Sequence, residues 1–211
     1  MSISSLHGIY LLLDEQWSED ISLVQVMELA IECGVRLFQY RNKTDSMFNS
    51  YHKGLVLRKL ALNSGATFIV NDRCDLAMAL DADGVHLGQD DLLLELAQSI
   101  MGKEKIIGIS THRPEEVEAA NKVGAHYLGF GPIYPTISKV DHEPVVGIEG
   151  LKHVRSLTSL PIFAIGGIAL ESIPFIREAG GNGVAVASVV YNSKNIKHTL
   201  QQLVNLFSSK T

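Results

Sequence analysis

Gln39, Tyr40, Arg41, Asn42 and Lys43 follow one another at the end of an apolar run. In a strand, side chains alternate between two faces, so Gln39, Arg41 and Lys43 share one side and Tyr40 takes the other. A guanidinium offers forked donors and an ammonium a compact charge, and together with an amide they suit a polyphosphate. A solvated strand end uses the same residue types, so this segment is a site only if other polar groups join it.

Such groups recur after later apolar runs. Asn71 and Asp72 follow one run, and Gln89, Asp90 and Asp91 follow the next. Carboxylates on neighbouring loops can hold one Mg²⁺ jointly, with phosphate oxygens and water completing the octahedron. Helix N-capping by Asp72 or Asp91 is the competing reading. His86, flanked by apolar residues, reads as a packed strand residue rather than a metal ligand. Ser110 is placed to donate a hydroxyl hydrogen bond, while Thr111 or His112 would cap the helix that begins near Pro114. His112 could also act as a general acid or base. Thr136, Ser138 and Lys139 end a loop stiffened by Pro132 and Pro135. Gly166 with Gly167, and Ala187 with Ser188, are small-residue turns that admit a phosphate to backbone N–H groups.

These groups need a scaffold that brings them to one place. Short apolar runs at 8–13, 35–40, 67–70, 84–87, 106–109, 127–130, 161–165 and 183–186 suit parallel strands buried on both faces. Helical periodicity fills the intervals at 23–33, 48–62, 92–101, 114–123, 148–157, 170–179 and 196–207, and between Cys74 and Asp81 there is room for about two turns. Gly34, Gly65, Gly102, Gly124 and Gly180 stand where helices should stop. Eight strand–helix units in 211 residues predict a single (β/α)8 TIM barrel over 1–211, with its active site at the C-terminal strand ends. Every polar group named above falls on that rim.

Composition narrows the function classes. Apolar residues make up 46% of the chain and charged residues 19%, a globular balance rather than a disordered one. The formal net charge of −5 argues against a nucleic-acid surface or attraction to anionic lipid. No apolar run reaches the roughly 20 residues that span a bilayer, and the first residues lack the pattern of a secretory signal, so a cytoplasmic protein is expected. Cys33 and Cys74 lack metal or redox spacing and read as buried thiols. The expected partners are small phosphorylated molecules, with homo-oligomerisation left open.

The runs QYRNK, NDRCDLA, DGVHLGQDD, GISTH, GFGPIYPTISK, AIGGI and GVAVAS, in this order, resemble the thiamine phosphate synthase family over about 8–188. The resemblance implies a transferase that joins hydroxymethylpyrimidine diphosphate to thiazole phosphate and releases pyrophosphate. It implies that Gln39, Arg41, Lys43 and Asn71 hold the pyrimidine diphosphate and that Asp72 and Asp91 bind Mg²⁺. Ser110 and Lys139 would contact the pyrimidine substrate or the departing pyrophosphate. Arg41, Lys43, Ser110 and Lys139 are the candidate catalytic groups. Thr136, Ser138, Gly167, Ala187 and Ser188 would hold the thiazole phosphate.

Three positions depart from the family pattern: Ser138 replaces a usual threonine, His126 a usual aspartate, and Asn42 a usual acid. A related thiazole tautomerase on the same barrel uses a histidine in the position of His112, but it needs neither a diphosphate clamp nor Mg²⁺. A silent binding protein that keeps only the thiazole-phosphate pocket, and a sugar-phosphate isomerase or aldolase, are further alternatives. The loops at 44–50 and 140–146 are candidate lids.

Overall fold

The computed structural model describes residues 6–18, 21–136 and 144–208. Eight parallel strands close into a barrel in sequence order, β1-β2-β3-β4-β5-β6-β7-β8, with β8 pairing back to β1. The strands are β1 Gly8–Asp14, β2 Leu37–Arg41, β3 Thr67–Asn71, β4 Gly84–Leu87, β5 Ile106–Thr111, β6 Tyr127–Phe130, β7 Ile162–Ile165 and β8 Gly183–Val186. The described helices are α1 Leu23–Glu32, α2 Met47–Ser64, α3 Cys74–Ala79, α4 Leu94–Met101, α5 Pro114–Lys122, α6 Gly147–Arg155, α7 Ile173–Glu178, α8 Ser188–Tyr191 and α9 Ile196–Ser208. No described helix is long and apolar enough to cross a membrane.

Local sequence accounts for most boundaries. Ser22 and Gln25 form a reciprocal capping box at the start of α1, whose buried residues Leu23, Val26, Met27 and Ala30 lie on one helical stripe. The five expected stop glycines all take positive φ, from 66° at Gly65 to 96° at Gly34. A side chain at such a φ would crowd its own backbone, which is why glycine ends these helices.

Several boundaries differ from expectation, most by one or two residues. β2 begins at Leu37 rather than 35 and runs on through Arg41. β5 continues to Thr111, so Ser110 and Thr111 are strand residues. The expected helix over 170–179 divides into a 3-10 turn, Leu170–Ser172, and α7. Pro174 explains the division, because it lacks an N–H and its ring excludes the preceding carbonyl, so it fits only a first turn.

The core has two compartments. The larger lies between strands and helices and takes the outward side chains, including Phe38, Tyr40, Phe68 and Leu87. The smaller fills the barrel itself with Tyr10, Leu37, Ile69, Tyr127, Phe163 and Ala185. Tyr10, Tyr127 and Phe163 meet edge to face, with ring centroids 5.3–5.7 Å apart. Glycines make room for these rings. A Cβ at Gly108 would lie 2.1 Å from the Tyr127 ring, and one at Gly183 would lie 2.3 Å from Phe163. The filled lower barrel leaves its upper, C-terminal layer to the polar side chains.

Candidate active site

The inner side of β2 carries the proposed clamp. Gln39 is buried, and its Nε2 donates to Tyr10 Oη at 2.8 Å. Arg41 is in register with Asp14 across the β1–β2 pair, and its Nη1 donates to Asp14 Oδ2 at 2.6 Å. Lys43 Nζ donates to Asp72 Oδ2. The structure therefore places these three residues on one side of β2 and its exit, while Tyr40 packs outward and donates to Ser50 O.

Asn42 organises the loop between them. Its Nδ2 donates to Tyr40 Oη at 3.1 Å and Asp45 Oδ2 at 2.9 Å, and its Oδ1 accepts from the backbone N–H of Thr44 and Asp45. A carboxylate at this position could not donate to Asp45, so the departure from an acid has a structural use here. Lys53 ties the same loop to the end of β1, pairing with Asp45 at 2.8 Å and Glu15 at 3.1 Å. The expected lid at 44–50 is only partly loop, because Ser46 caps α2 and Met47 begins it.

Asp72 and Asp91 come together beside the clamp. Asp72 follows β3 with φ 61°, in the left-handed region that aspartate tolerates better than most side chains. Its carboxyl lies above the usual aspartate range, first because of burial and then because Asp91 lies within hydrogen-bonding reach; Lys43 opposes both effects. Neither aspartate caps a helix. Arg73 precedes α3 and Leu93 precedes α4, both without a side-chain cap, while Asp91 Oδ2 accepts from Gly88 N at 2.7 Å. Two facing carboxylates in a half-buried position repel each other, and oxygen donors of this type suit a hard divalent cation. No group of three or more His, Cys, Asp or Glu gathers among the described residues. The chain thus offers two carboxylates, which fits an ion that completes its shell with substrate oxygens and water.

Asn71 ends β3 in register with His86 of β4. His86 is 7% exposed and packed, as expected, but both of its ring nitrogens are bonded: Nδ1 to Tyr127 Oη at 3.0 Å and Nε2 to Ser110 Oγ at 2.9 Å. Gln89 Nε2 donates to Ser110 O at 2.6 Å, which brings the β4 loop onto β5.

Thr111 and His112 do not cap α5. Thr111 Oγ1 donates to Gly129 O, His112 Nδ1 bonds Gly131 O at 2.5 Å, and the His112 backbone N–H is taken by Glu116. Because Ser110 and Thr111 are still in the strand, neither is free to turn back as a cap. His126 accepts from the Ile107 N–H through Nδ1 at 3.1 Å, so its polar contact lies on the strand edge away from the rim.

The late loops form the other half of the rim. Ile133 N donates to Ile165 O at 2.9 Å and Tyr134 N to Gly166 O at 3.1 Å, which lays the β6 loop against the end of β7 and brings Thr136 to that side. Gly167 sits at φ 65°, where a Cβ would strike Pro135 O and Tyr134. Ala187 precedes α8 and Ser188 begins it, on the neighbouring strand end. Ser138, Lys139 and residues 140–143 of the expected second lid lie outside the described residues.

Sequence reasoning missed Asp14, Tyr10 and Tyr127, and took His86 only as packing. A carboxylate closing the otherwise apolar run GIYLLLD was a usable signal for Asp14. Nothing local marked the two tyrosines as partners, since they are 117 residues apart. Both cysteines are free, as expected, but only Cys74 is buried. Cys33 follows the last turn of α1, where its thiol meets Lys197 O at 3.6 Å near the surface.

Comparison with known proteins agrees with the fold and identifies the family. The family model for thiamine monophosphate synthase matches residues 9–190. The thiamine-phosphate synthase of Persephonella marina is 41% identical over 204 residues, covering 97% of each chain. That of Halalkalibacterium halodurans is 42% identical over 193 residues, covering 92% of each. The solved thiamine phosphate pyrophosphorylase from Pyrococcus furiosus superposes with a TM-score of 0.86 at 33% identity, covering 95% of each chain. An orotidine 5'-phosphate decarboxylase from Pyrococcus horikoshii superposes at 0.71 with 13% identity, a likeness of fold alone. The chain belongs to the thiamine monophosphate synthase family, transferases of thiamine biosynthesis.

Proposed function

We propose that this chain condenses hydroxymethylpyrimidine diphosphate with 4-methyl-5-(2-phosphooxyethyl)thiazole, giving thiamine phosphate and pyrophosphate with the help of Mg²⁺. The observation that carries this reading is the division of the rim. Gln39, Arg41, Lys43, Asn71, Asp72, Asp91 and Ser110 occupy the ends of β2 to β5 and their loops, opposite Thr136, Gly167, Ala187 and Ser188 on the β6 to β8 side. Two anionic substrates thus have two separate footholds on one face.

The chemistry is a substitution at the pyrimidine methylene carbon. The bond from that carbon to the diphosphate oxygen breaks, its electron pair leaving with pyrophosphate, and the thiazole nitrogen lone pair forms the new C–N bond. In a dissociative order the first bond breaks before the second forms. No protein nucleophile takes part, so the side chains contribute positioning and charge stabilisation. Arg41 and Lys43 neutralise negative charge growing on the leaving group, and Ser110 donates to it or to the pyrimidine. Asp72 and Asp91 would hold Mg²⁺, which when bound supplies electrostatic stabilisation of a departing pyrophosphate.

Purified protein mixed with both substrates, with and without Mg²⁺, should form thiamine phosphate only when the metal is present. Absence of product from folded protein overturns the reading. Interconversion of thiazole phosphate tautomers without the pyrimidine substrate would instead favour proton transfer at His112, whose ring the Gly131 carbonyl holds in place.

A further inference from the structure

A continuous line of side-chain hydrogen bonds crosses the barrel beneath the rim. Gln39 Nε2 donates to Tyr10 Oη at 2.8 Å, Tyr10 Oη meets Tyr127 Oη at 2.7 Å, Tyr127 Oη meets His86 Nδ1 at 3.0 Å, and His86 Nε2 meets Ser110 Oγ at 2.9 Å. Its two ends are residues of the proposed site, on β2 and β5. Its middle is buried: Tyr10 is 1% exposed and Tyr127 fully buried. Desolvation holds both phenols neutral, so each keeps a proton. A buried hydroxyl proton without an acceptor is costly, so these two protons must be placed.

The placement has one direction. Gln39 offers Tyr10 an N–H and therefore cannot accept from it, which leaves Tyr127 Oη as the acceptor for the Tyr10 proton. The Tyr127 proton then goes to His86 Nδ1. A neutral imidazole with Nδ1 accepting carries its hydrogen on Nε2, and Nε2 faces Ser110 Oγ. Ser110 Oγ consequently accepts from His86, and its own proton is left to point elsewhere.

Resting on the proposed function, we propose that His86 is a positioning residue, fixed as the Nε2–H tautomer by Tyr127, that makes Ser110 a dedicated hydrogen-bond donor to the anionic substrate. An obligate donor suits a leaving diphosphate, whose oxygens only accept. The opposite direction would point the Ser110 proton at His86 and present a lone pair to an anion.

Two measurements test this. In full-length protein labelled with ¹⁵N-histidine, with His86→Gln as the assignment control, long-range ¹H–¹⁵N spectra should show Nδ1 unprotonated and Nε2 protonated for His86. Tyr127→Phe should abolish that single tautomer. An Nδ1–H tautomer, or a mixture of tautomers in the unsubstituted protein, overturns the proposal whether or not the condensation occurs. In the kinetic arm, His86→Leu and Ser110→Ala should each lower kcat about tenfold or more, while KM for thiazole phosphate stays within about twofold. The double variant should be no slower than Ser110→Ala alone, because both substitutions remove the same donor. His86→Gln, which retains an N–H near the position of Nε2, should recover most of kcat. Additive losses, or no recovery in the glutamine variant, overturn the positioning role.

Discussion

Arg41 Nη1 lies 2.6 Å from Asp14 Oδ2, so the cation proposed to grip a diphosphate is already held by a carboxylate from the neighbouring strand. The Asp14 side chain is only 6% exposed and that of Arg41 is 21% exposed, so the anchoring carboxylate lies deeper than the cation it holds. Asp14 is itself fixed by Gln16, whose backbone N–H and Nε2 both donate to it. The forked guanidinium can serve Asp14 with one nitrogen and a ligand with the others.

Lysine lacks this planar fork, so an ammonium drawn to Asp14 offers the ligand no second edge of parallel donors. Arg41→Lys should raise KM for the pyrimidine diphosphate at least about tenfold, or about 1.4 kcal/mol of binding. Its ammonium can still pair with Asp14, so thermal unfolding should change little. Steady-state kinetics with thiazole phosphate saturating reads the effect, and an unchanged KM would show that Arg41 serves only Asp14.

The carboxylate pair makes a second prediction. Asp72→Ala or Asp91→Ala should lower Mg²⁺-dependent turnover more than tenfold, a barrier increase of about 1.4 kcal/mol or more. Titration of activity against Mg²⁺ measures it. If both variants retain the metal dependence of the unsubstituted protein, the ion is held elsewhere.

The same pair gives a pH dependence with a definite sign. Asp72 holds its proton more tightly when folded than an ordinary aspartate, because of burial and Asp91, with Lys43 opposing. Its contribution to stability is therefore full below the ordinary value of 3.8 and is lost as pH rises through the higher folded value. A divalent ion that replaces the proton should stabilise most where that proton is absent. Mg²⁺ at a hundredfold excess over its Kd is worth about 2.7 kcal/mol. Melting curves should show this gain at neutral pH and its decline as pH falls through the folded value of Asp72. Asp72→Asn should remove the gain, and an equal Mg²⁺ effect across the whole range would contradict the assignment.

Short-range signals in the sequence served the fold and part of the site well. Alternation along β2 put Gln39 and Arg41 inside and Tyr40 outside, and the stop glycines located helix ends, because both follow from backbone geometry within a few residues. Pairings across strands were hidden. Asp14 and Arg41 are 27 residues apart, and His86 lies 24 residues from Ser110 and 41 from Tyr127. Only barrel closure and strand register bring such residues together, and neither is a local property. Pro174 was visible, yet the division it imposes before α7 went unread because the apolar period continues across it.

Gly167 offers a test of the late-loop half of the rim. It occupies φ 65°, and a Cβ there would lie 2.6 Å from Pro135 O, 2.7 Å from Tyr134 Cβ and 2.8 Å from Tyr134 O. Two of these atoms belong to backbone, so Gly167→Ala cannot be accommodated by a rotamer change. The 133–135 segment must move, and Thr136 follows it. Gly147 is the control, with φ 68° and open space around its Cβ position. Alanine there bears the left-handed strain, about 1–2 kcal/mol, without the collision. Both alanine variants should lower Tm by several degrees. Only Gly167→Ala should also raise KM for thiazole phosphate, about tenfold, while KM for the pyrimidine diphosphate stays near its original value. Equal kinetics in the two variants would mean that the contact between Gly167 and the 134–135 backbone does not shape the thiazole-phosphate foothold.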